Sequence, residues 1–192
     1  MFKRKLQIAI NEILASKGFN GSGNVWSKKS PETIEVVTLQ LSKSRTEVTL
    51  NLGATEPLIY EKCWKETLPA KLDESLCIVT RRLGILKYGH DKWYSIAAEE
   101  ATINSIVNDM QTVGLPFLQQ LETINGLLSE LEKGQEIKGT YPPTFIYLAL
   151  IYSKLGKTEV AIDVIEKALS KLKRLSGGWS IRLKDIKREL TN

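Results

Sequence analysis

Two neighbouring β-strand segments, residues 33–42 and 46–52, restrict the fold of this chain more than any other feature of its sequence. Both segments carry strong strand signals, and a tight hairpin with Ser44 and Arg45 at its turn would join them as antiparallel neighbours. The resulting register pairs apolar residues with apolar residues: Leu41 with Val48, Leu39 with Leu50, and Val37 with Leu52. The sequence therefore predicts one apolar face that packs against the rest of the domain.

The other face of the same hairpin is polar throughout. The register pairs Ser42 with Glu47, Gln40 with Thr49, and Thr38 with Asn51. A slip of one residue would mix the two sets, because side chains alternate between faces with a period of two. Antiparallel sheets often leave one side in water, so we expect this face to be open to solvent.

Helical periodicity dominates the rest of the chain. An apolar stripe predicts a first helix that ends before Gly18, and its members are Phe2, Leu6, Ile10, Ile13 and Leu14. A short helix is predicted over 63–72 and a third strand over 76–83, and from Ile96 onward we expect helices only. One of these is expected to end before Gly114, and the next to run from Leu115 to Gly134.

The last third of the chain resembles a single tetratricopeptide repeat. Its large, small and turn residues fall at the expected spacing: Phe145, Leu148, Ala149, Tyr152, Gly156, Ala161, Ile165 and Ala168. No second copy follows, so we expect one helical hairpin and a capping helix from Trp179 to Leu190. The predicted fold is α+β, with a small antiparallel sheet packed with helices in a domain at 1–134. An all-helical part at 141–192 is expected to dock on it.

Composition excludes several classes of protein. No apolar run approaches the roughly 20 residues that cross a bilayer, and Asn11 and Glu12 lie where a signal peptide is apolar. We expect a cytoplasmic protein without a membrane partner. Cys63, Cys77 and His90 are too few and too scattered for a zinc site, a disulfide framework or a nucleophilic triad. We therefore expect no cofactor, no metal and no catalytic residues.

Charge is distributed unevenly along the chain, whose formal net charge is +5. Residues 154–192 contain ten Lys or Arg and five acidic residues, so this segment carries the whole surplus. Nucleic-acid binding is therefore an alternative function, through Lys167, Lys171, Lys173, Arg174, Arg182, Lys184, Lys187 and Arg188. Glu166, Asp185 and Glu189 are interspersed among these residues, which favours a solvated, charged helix surface instead.

Arg81 and Arg82 lie next to each other on the predicted third strand, so their side chains point to opposite faces. The arginine on the polar face is suited to recognise a carboxylate or phosphate, whereas a buried one needs an ion-pair partner. Trp93 follows the strand region, where an aromatic ring covers the core or borders a groove. The predicted ligand-binding residues are Thr38, Gln40, Ser42, Thr49, Asn51, Arg82 and Trp93.

Several short runs together resemble a bacterial family known as domain of unknown function 4304. They are Gly18-Phe19, Trp26, VVTLQLSKS at 36–44, VTLNLGA at 48–54, Arg82-Leu83-Gly84, Asp91-Lys92-Trp93-Tyr94 and Gly114-Leu115-Pro116-Phe117. The chain departs from the family pattern at Tyr94, where a second tryptophan is usual. The resemblance covers the first two thirds of the chain, and implies an α+β fold and a bacterial origin without an established activity.

These observations favour a non-catalytic protein-binding module. By analogy with other small bacterial families, we expect an immunity or antitoxin-like protein whose partner is another protein, such as a toxin, that it occludes. The alternatives are nucleic-acid binding by the basic helices and an unrecognised enzyme that uses Arg82 and Asn51. The sequence carries no signal of the oligomeric state.

Overall fold

The computed structural model describes residues 2–138, 141–171 and 177–191. Its contacts form two compact units, one from residues 2–55 and 69–123 and the other from 56–68 and 124–191 where these are described. The first unit holds an antiparallel sheet with helices, and the second is all helical. The predicted α+β class is confirmed, as is the helical C-terminal part.

The described residues of the first unit form a six-stranded sheet in which strands 1 to 5 follow chain order. The strands are β1 (Asn20–Ser22), β2 (Val25–Lys29), β3 (Ile34–Leu41), β4 (Glu47–Thr55), β5 (Val79–Arg82) and β6 (Tyr94–Ser95). Both β5 and β6 pair with β4, at different positions along the same edge. The predicted third strand is therefore shorter than 76–83, because Glu74–Leu76 forms a turn of 3₁₀ helix instead.

The predicted register of β3 and β4 is confirmed, with Leu39 opposite Leu50 and Gln40 opposite Thr49. The predicted turn is wrong. The carbonyl of Ser42 accepts a hydrogen bond from the backbone N–H of Arg45, at 2.9 Å, so the turn centres one residue earlier. Within residues 42–47 only Arg45 has a positive φ, of 59°, whereas the two-residue turn that matches strand twist often needs two such residues.

Among its described residues, the first unit has four α-helices: α1 (Phe2–Ala15), α3 (Leu83–Tyr88), α4 (Glu99–Asp109) and α5 (Leu115–Gln120). The predicted stripe of α1 is buried at Phe2, Leu6, Ile10 and Leu14. Leu50 and Leu52 on the apolar face of the sheet are fully buried. The core of this unit therefore lies on the face that strand alternation predicts.

A π-helical turn, Met110–Gly114, joins α4 to α5, so the predicted helix end before Gly114 is wrong. A Cβ atom at residue 114 would lie 2.7 Å from the Sδ of Met110 and 3.4 Å from a methyl group of Leu52. Gly114 is therefore a packing glycine that lets the helix approach the sheet. Pro116 lacks the N–H that an α-helical turn would use here, and a wide turn accommodates that loss.

The second unit contains α2 (Pro57–Trp64), α6 (Ile124–Lys138), α7 (Pro142–Lys154), α8 (Thr158–Lys171) and α9 (Gly177–Thr191). The helix predicted over 63–72 begins earlier, because Glu56 accepts the N–H of Ile59 at 2.6 Å and Pro57 starts the first turn. It ends at Trp64 and is capped by Lys65, whose φ is 57°. Residues 65–72 are not helical, so the helix predicted over 63–72 is wrong. The helix predicted from Leu115 to Gly134 is in fact two helices, α5 and α6.

The tetratricopeptide-like hairpin is formed by α7 and α8. Gly156, with a φ of 74°, ends α7, and the N–H of Lys157 donates to the carbonyl of Tyr152 at 2.9 Å. The predicted apolar positions Phe145, Leu148, Ala149, Ala161, Ile165 and Ala168 are all buried. Single-repeat spacing therefore predicted this hairpin correctly.

Candidate functional site

The two strands that share one edge of β4 bring two of the predicted site residues, Arg82 and Trp93, close together. Arg82 at the end of β5 pairs with Asn51, and Tyr94 at the start of β6 pairs with Val48. The intervening chain forms α3 and returns to the same edge. Arg82 and Trp93 therefore flank one interruption in the sheet, although eleven positions separate them along the chain.

A close backbone contact holds this return path in place. A Cβ atom at residue 84 would overlap the backbone of Lys92, so only glycine allows the approach. On the other side of the loop, the ammonium of Lys92 lies 3.6 Å from the ring centroid of Tyr88. The two ends of this loop, residues 82–84 and 91–94, are therefore packed directly against each other.

Three contacts fix the guanidinium of Arg82. Its Nε donates to Oδ1 of Asn51 at 3.3 Å, and its Nη1 donates to Oδ2 of Asp91 at 2.5 Å. Its central carbon lies 5.0 Å from the ring centroid of Trp93. The side chain is still 31% exposed, so the guanidinium is both oriented and accessible.

Asn51 connects Arg82 to the sheet and to the 3₁₀ turn. Its Nδ2 donates to Oε1 of Gln40 at 2.9 Å and to Oε1 of Glu74 at 3.2 Å, and the residue is only 4% exposed. We refer to Gln40, Asn51, Glu74, Arg82, Asp91 and Trp93 as the Arg82 cluster. Four of the seven predicted site residues belong to it: Gln40, Asn51, Arg82 and Trp93.

The expectation that the polar face is open to solvent is wrong. Thr49 is fully buried and Thr38 is 9% exposed, and the 3₁₀ turn contacts both β3 and β4. Within the described part of the chain, the hydroxyls of Thr38 and Thr49 have no hydrogen-bond partner. Ser42 lies apart in the hairpin turn, where its Oγ accepts the N–H of Glu47 at 3.2 Å. These three residues do not join the Arg82 cluster.

Two members of the cluster were not among the predicted site residues. Asp91 follows a turn next to the only histidine, and Glu74 begins a 3₁₀ turn capped by Asp73. Neither residue lies on an apolar stripe or in a motif, so no periodic signal marks it. The one available signal was that a partly buried guanidinium on a strand needs an acceptor, and the sequence pattern identified none for Arg82.

A second polar group, which the sequence did not predict, is formed around Asp109 and contacts the segment between β5 and β6. Asp109 is 2% exposed, and its Oδ2 accepts hydrogen bonds from Tyr94 at 2.8 Å and from Tyr88 at 3.0 Å. Lys87 lies 3.4 Å from its Oδ1. Burial, followed by the hydrogen bond to Asp109, raises the pKa of the Tyr94 hydroxyl above its usual value. This hydroxyl is therefore a donor at neutral pH.

The remaining candidate residues take structural positions. Arg81 occupies the register position opposite Leu52 and donates to the carbonyl of Thr80 at 3.1 Å. His90 is exposed in its turn, and Cys63 is buried in α2, which raises the pKa of its thiol to about 12. Across residues 2–138, 141–171 and 177–191, no cluster of three or more His, Cys, Asp or Glu has the arrangement of a metal site.

The basic residues of the last helices are mostly paired with acids. Lys167 lies 2.6 Å from Asp163, and Lys187 lies 2.6 Å from Glu166. Arg188 contacts Asp185 in the same way, and Arg182 is buried, where it donates to the carbonyl of Cys63. Lys173 and Arg174 lie outside the described residues. The described cations therefore do not form one continuous basic surface.

Comparison with known proteins identifies a family for the part of the chain that carries the Arg82 cluster. Residues 10–120, more than half of the chain, match the domain of unknown function DUF4304. Neither a curated protein nor a solved structure matches the chain. Among the described helices, none has the length and apolar character needed to cross a membrane. The sequence runs that resembled the family lie within the matched residues or at their edge, and the chain belongs to the DUF4304 family.

Proposed function

We propose that this chain is a non-catalytic protein-binding module that recognises an acidic side chain of its partner through Arg82 and Trp93. The observation that supports the proposal best is the state of Arg82, which is fixed by Asn51 and Asp91 and yet 31% exposed. A guanidinium that is already oriented loses little further entropy when it binds a carboxylate in its planar fork.

The chemistry of the cluster favours recognition over catalysis. An arginine keeps its proton at every physiological pH, and an asparagine amide neither takes up nor releases one. The ring of Trp93 adds a flat apolar surface beside the charge, and Trp and Arg are the residue types that dominate binding energy in protein interfaces. The exposed carboxylate of Asp91 pairs with the guanidinium in the free protein, and a partner carboxylate would compete for the same donors.

The finer part of the proposal is that the partner is a bacterial toxin, which this chain occludes in the cytoplasm. It rests on analogy with small bacterial families that serve as immunity proteins. Sequence charge adds one constraint, since a chain with a net charge of +5 is poorly matched to a cationic nuclease. We therefore propose a toxin with an acidic surface around its active site.

Binding experiments with three baits test the recognition site. Wild-type protein, Arg82→Ala and the exposed control Arg4→Ala would each be used to capture proteins from the native host, and captured partners would be titrated by calorimetry. We expect the partner to bind wild type and Arg4→Ala equally and to bind Arg82→Ala at least about tenfold more weakly. Equal binding by a folded Arg82→Ala variant would refute the site, and Trp93→Ala gives a second, independent test.

The toxin assignment has its own experiment. A candidate toxin encoded beside this protein would be expressed alone and together with wild type, Arg82→Ala or Arg4→Ala. We expect growth to be restored by wild type and by Arg4→Ala only. A partner that Arg82 recognises but that harms no cell would leave protein binding in place and remove the immunity function.

Nucleic-acid binding is not favoured, because most of the described cations of the last helices are paired with acids. We expect no gel shift at submicromolar concentration and about 150 mM salt, since phosphate contacts supply most non-specific affinity. A tight complex that weakens steeply as salt is raised would reverse this order of preference.

A further inference from the structure

A pocket on the first unit, separate from the Arg82 cluster, has the composition of a small-molecule site. It has a volume of about 350 Å³ and lies between the end of α1, strand β2, the π-helical turn and α5. Its charged lining residues are Lys17, Lys28 and Glu122, and its apolar surface includes Phe19 and Leu118. Pockets of roughly 300–1,000 Å³ with apolar walls and a few polar groups are typical ligand sites.

Two carboxylates contact Lys28 at this pocket. Its ammonium lies 3.0 Å from Oε2 of Glu35 and 2.5 Å from Oε1 of Glu122, and 5.6 Å from the ring centroid of Phe19. Burial alone would lower its pKa, but the contacts of Lys28 with Glu122 and Glu35 outweigh burial, and the pKa of Lys28 is raised. The ammonium therefore stays charged.

Glu35 is the least expected residue in this arrangement. It is fully buried, on the apolar side of β3, where its other oxygen lies 3.4 Å from the hydroxyl of Thr33. Replacing a buried ion pair by apolar residues of similar size is often neutral or stabilising, so stability alone is a weak reason for a charge here. The effect of Glu35 at this position is to hold the ammonium of Lys28 at the pocket.

The backbone at the pocket is also unusual. Gln111 lines it from the π-helical turn Met110–Gly114, and single π-helical turns are frequent at functional sites. The wide turn is independent of the Lys28 ion pairs, because Gly114 and Pro116 explain its geometry. Two separate features, a buried acid that fixes a lysine and a non-standard helical turn, thus converge on one pocket.

The signs of the charges indicate the class of ligand. Lys17 and Lys28 are offset by Glu35 and Glu122, so the site offers no net attraction to a simple anion or cation. Glu122 uses one oxygen for Lys28 and is 34% exposed, while Lys17 is exposed and has no ion pair with the described residues. A ligand with both charges satisfies both groups. We propose that this pocket binds a free amino acid with an apolar side chain, its carboxylate at Lys17 and Lys28 and its ammonium at Glu122.

Calorimetry on the full chain tests the proposal with three matched probes. L-leucine carries both charges, 4-methylpentanoate lacks the ammonium, and 3-methylbutylamine lacks the carboxylate. We expect L-leucine to bind and each analogue to bind at least about tenfold more weakly. Equal binding by either analogue, or no binding by L-leucine, L-methionine and L-phenylalanine, would overturn the proposal.

Two variants assign the charges, and one serves as a control. Lys17→Ala is expected to weaken L-leucine about tenfold, whereas the exposed control Lys43→Ala is expected to change nothing. Glu122→Gln is expected to weaken L-leucine about tenfold but to leave 4-methylpentanoate unchanged or tighter, which a merely structural role would not produce. L-leucine affinity that is insensitive to both Lys17→Ala and Glu122→Gln would show binding elsewhere and refute the site.

Discussion

The two faces of the β3–β4 hairpin are both buried, but different physical interactions bury them. On the apolar face, Leu39, Leu50 and Leu52 are at most 2% exposed and contribute through the hydrophobic effect, which has no direction. On the polar face, Asn51 is buried and donates hydrogen bonds to Gln40 and Glu74. Thr49 is also buried, but its hydroxyl has no hydrogen-bond partner among the described residues. Polarity therefore identified the two faces, but it did not decide which of them meets water.

The largest expected effect tests the apolar face. Leu50→Ala should lower the free energy of unfolding by about 2–5 kcal/mol, because Leu50 is fully buried and the lost methyl groups leave a cavity. Chemical denaturation of the full chain measures this change. The control is Ile8→Ala on α1, where the side chain is 53% exposed and the expected change is about 0.5 kcal/mol or less. Similar losses in both variants would contradict the assigned core.

An intermediate effect is expected on the polar face. Asn51→Ala should lower the free energy of unfolding by about 1–3 kcal/mol, because it removes the donors to Gln40 and Glu74 and leaves Arg82 without one acceptor. Asn104→Ala on the exposed side of α4 is the control. An Asn51→Ala protein as stable as this control would mean that the polar face is solvated, as the strand pattern alone suggested.

The smallest effect is expected for a polar group without a partner. Thr49→Val should leave stability unchanged or raise it by up to about 1 kcal/mol, because it removes a buried hydroxyl that makes no hydrogen bond among the described residues. Thr33→Val is the matched comparison: Thr33 is also buried, but its hydroxyl donates to the carbonyl of Leu121 at 2.9 Å. We expect a loss of about 1–2 kcal/mol there. A large loss in Thr49→Val would reveal a partner for its hydroxyl.

Local signals predicted the candidate site in part. Strand alternation placed Asn51, Gln40 and Arg82 on one face, and all three belong to the cluster. It did not predict Glu74 or Asp91, whose positions depend on a 3₁₀ turn and on the return of the chain after α3. It also counted Thr38 and Thr49 as accessible, because alternation says which face a side chain joins and nothing about what covers that face.

Helix ends show the same division between local and distant causes. The end of α7 follows from Gly156, whose left-handed conformation is a local property. Gly114 has the same residue type but lies within a continuous helical segment, because its missing side chain makes room for Met110 and Leu52. A glycine in sequence therefore signals either a helix end or a close contact, and only the packing distinguishes them.

The sequence by itself determined the register of the central hairpin, the amphipathic first helix, the single tetratricopeptide-like hairpin and the family. Each of these depends on a period of 2 or 3.6 residues, or on short runs, which are properties of neighbours along the chain. Tertiary structure alone decided the burial of the polar face, the pairing of Arg82 with Asp91 and the pocket at Lys28. These features join residues on different elements, so their energies depend on which surfaces meet, and no local period encodes that.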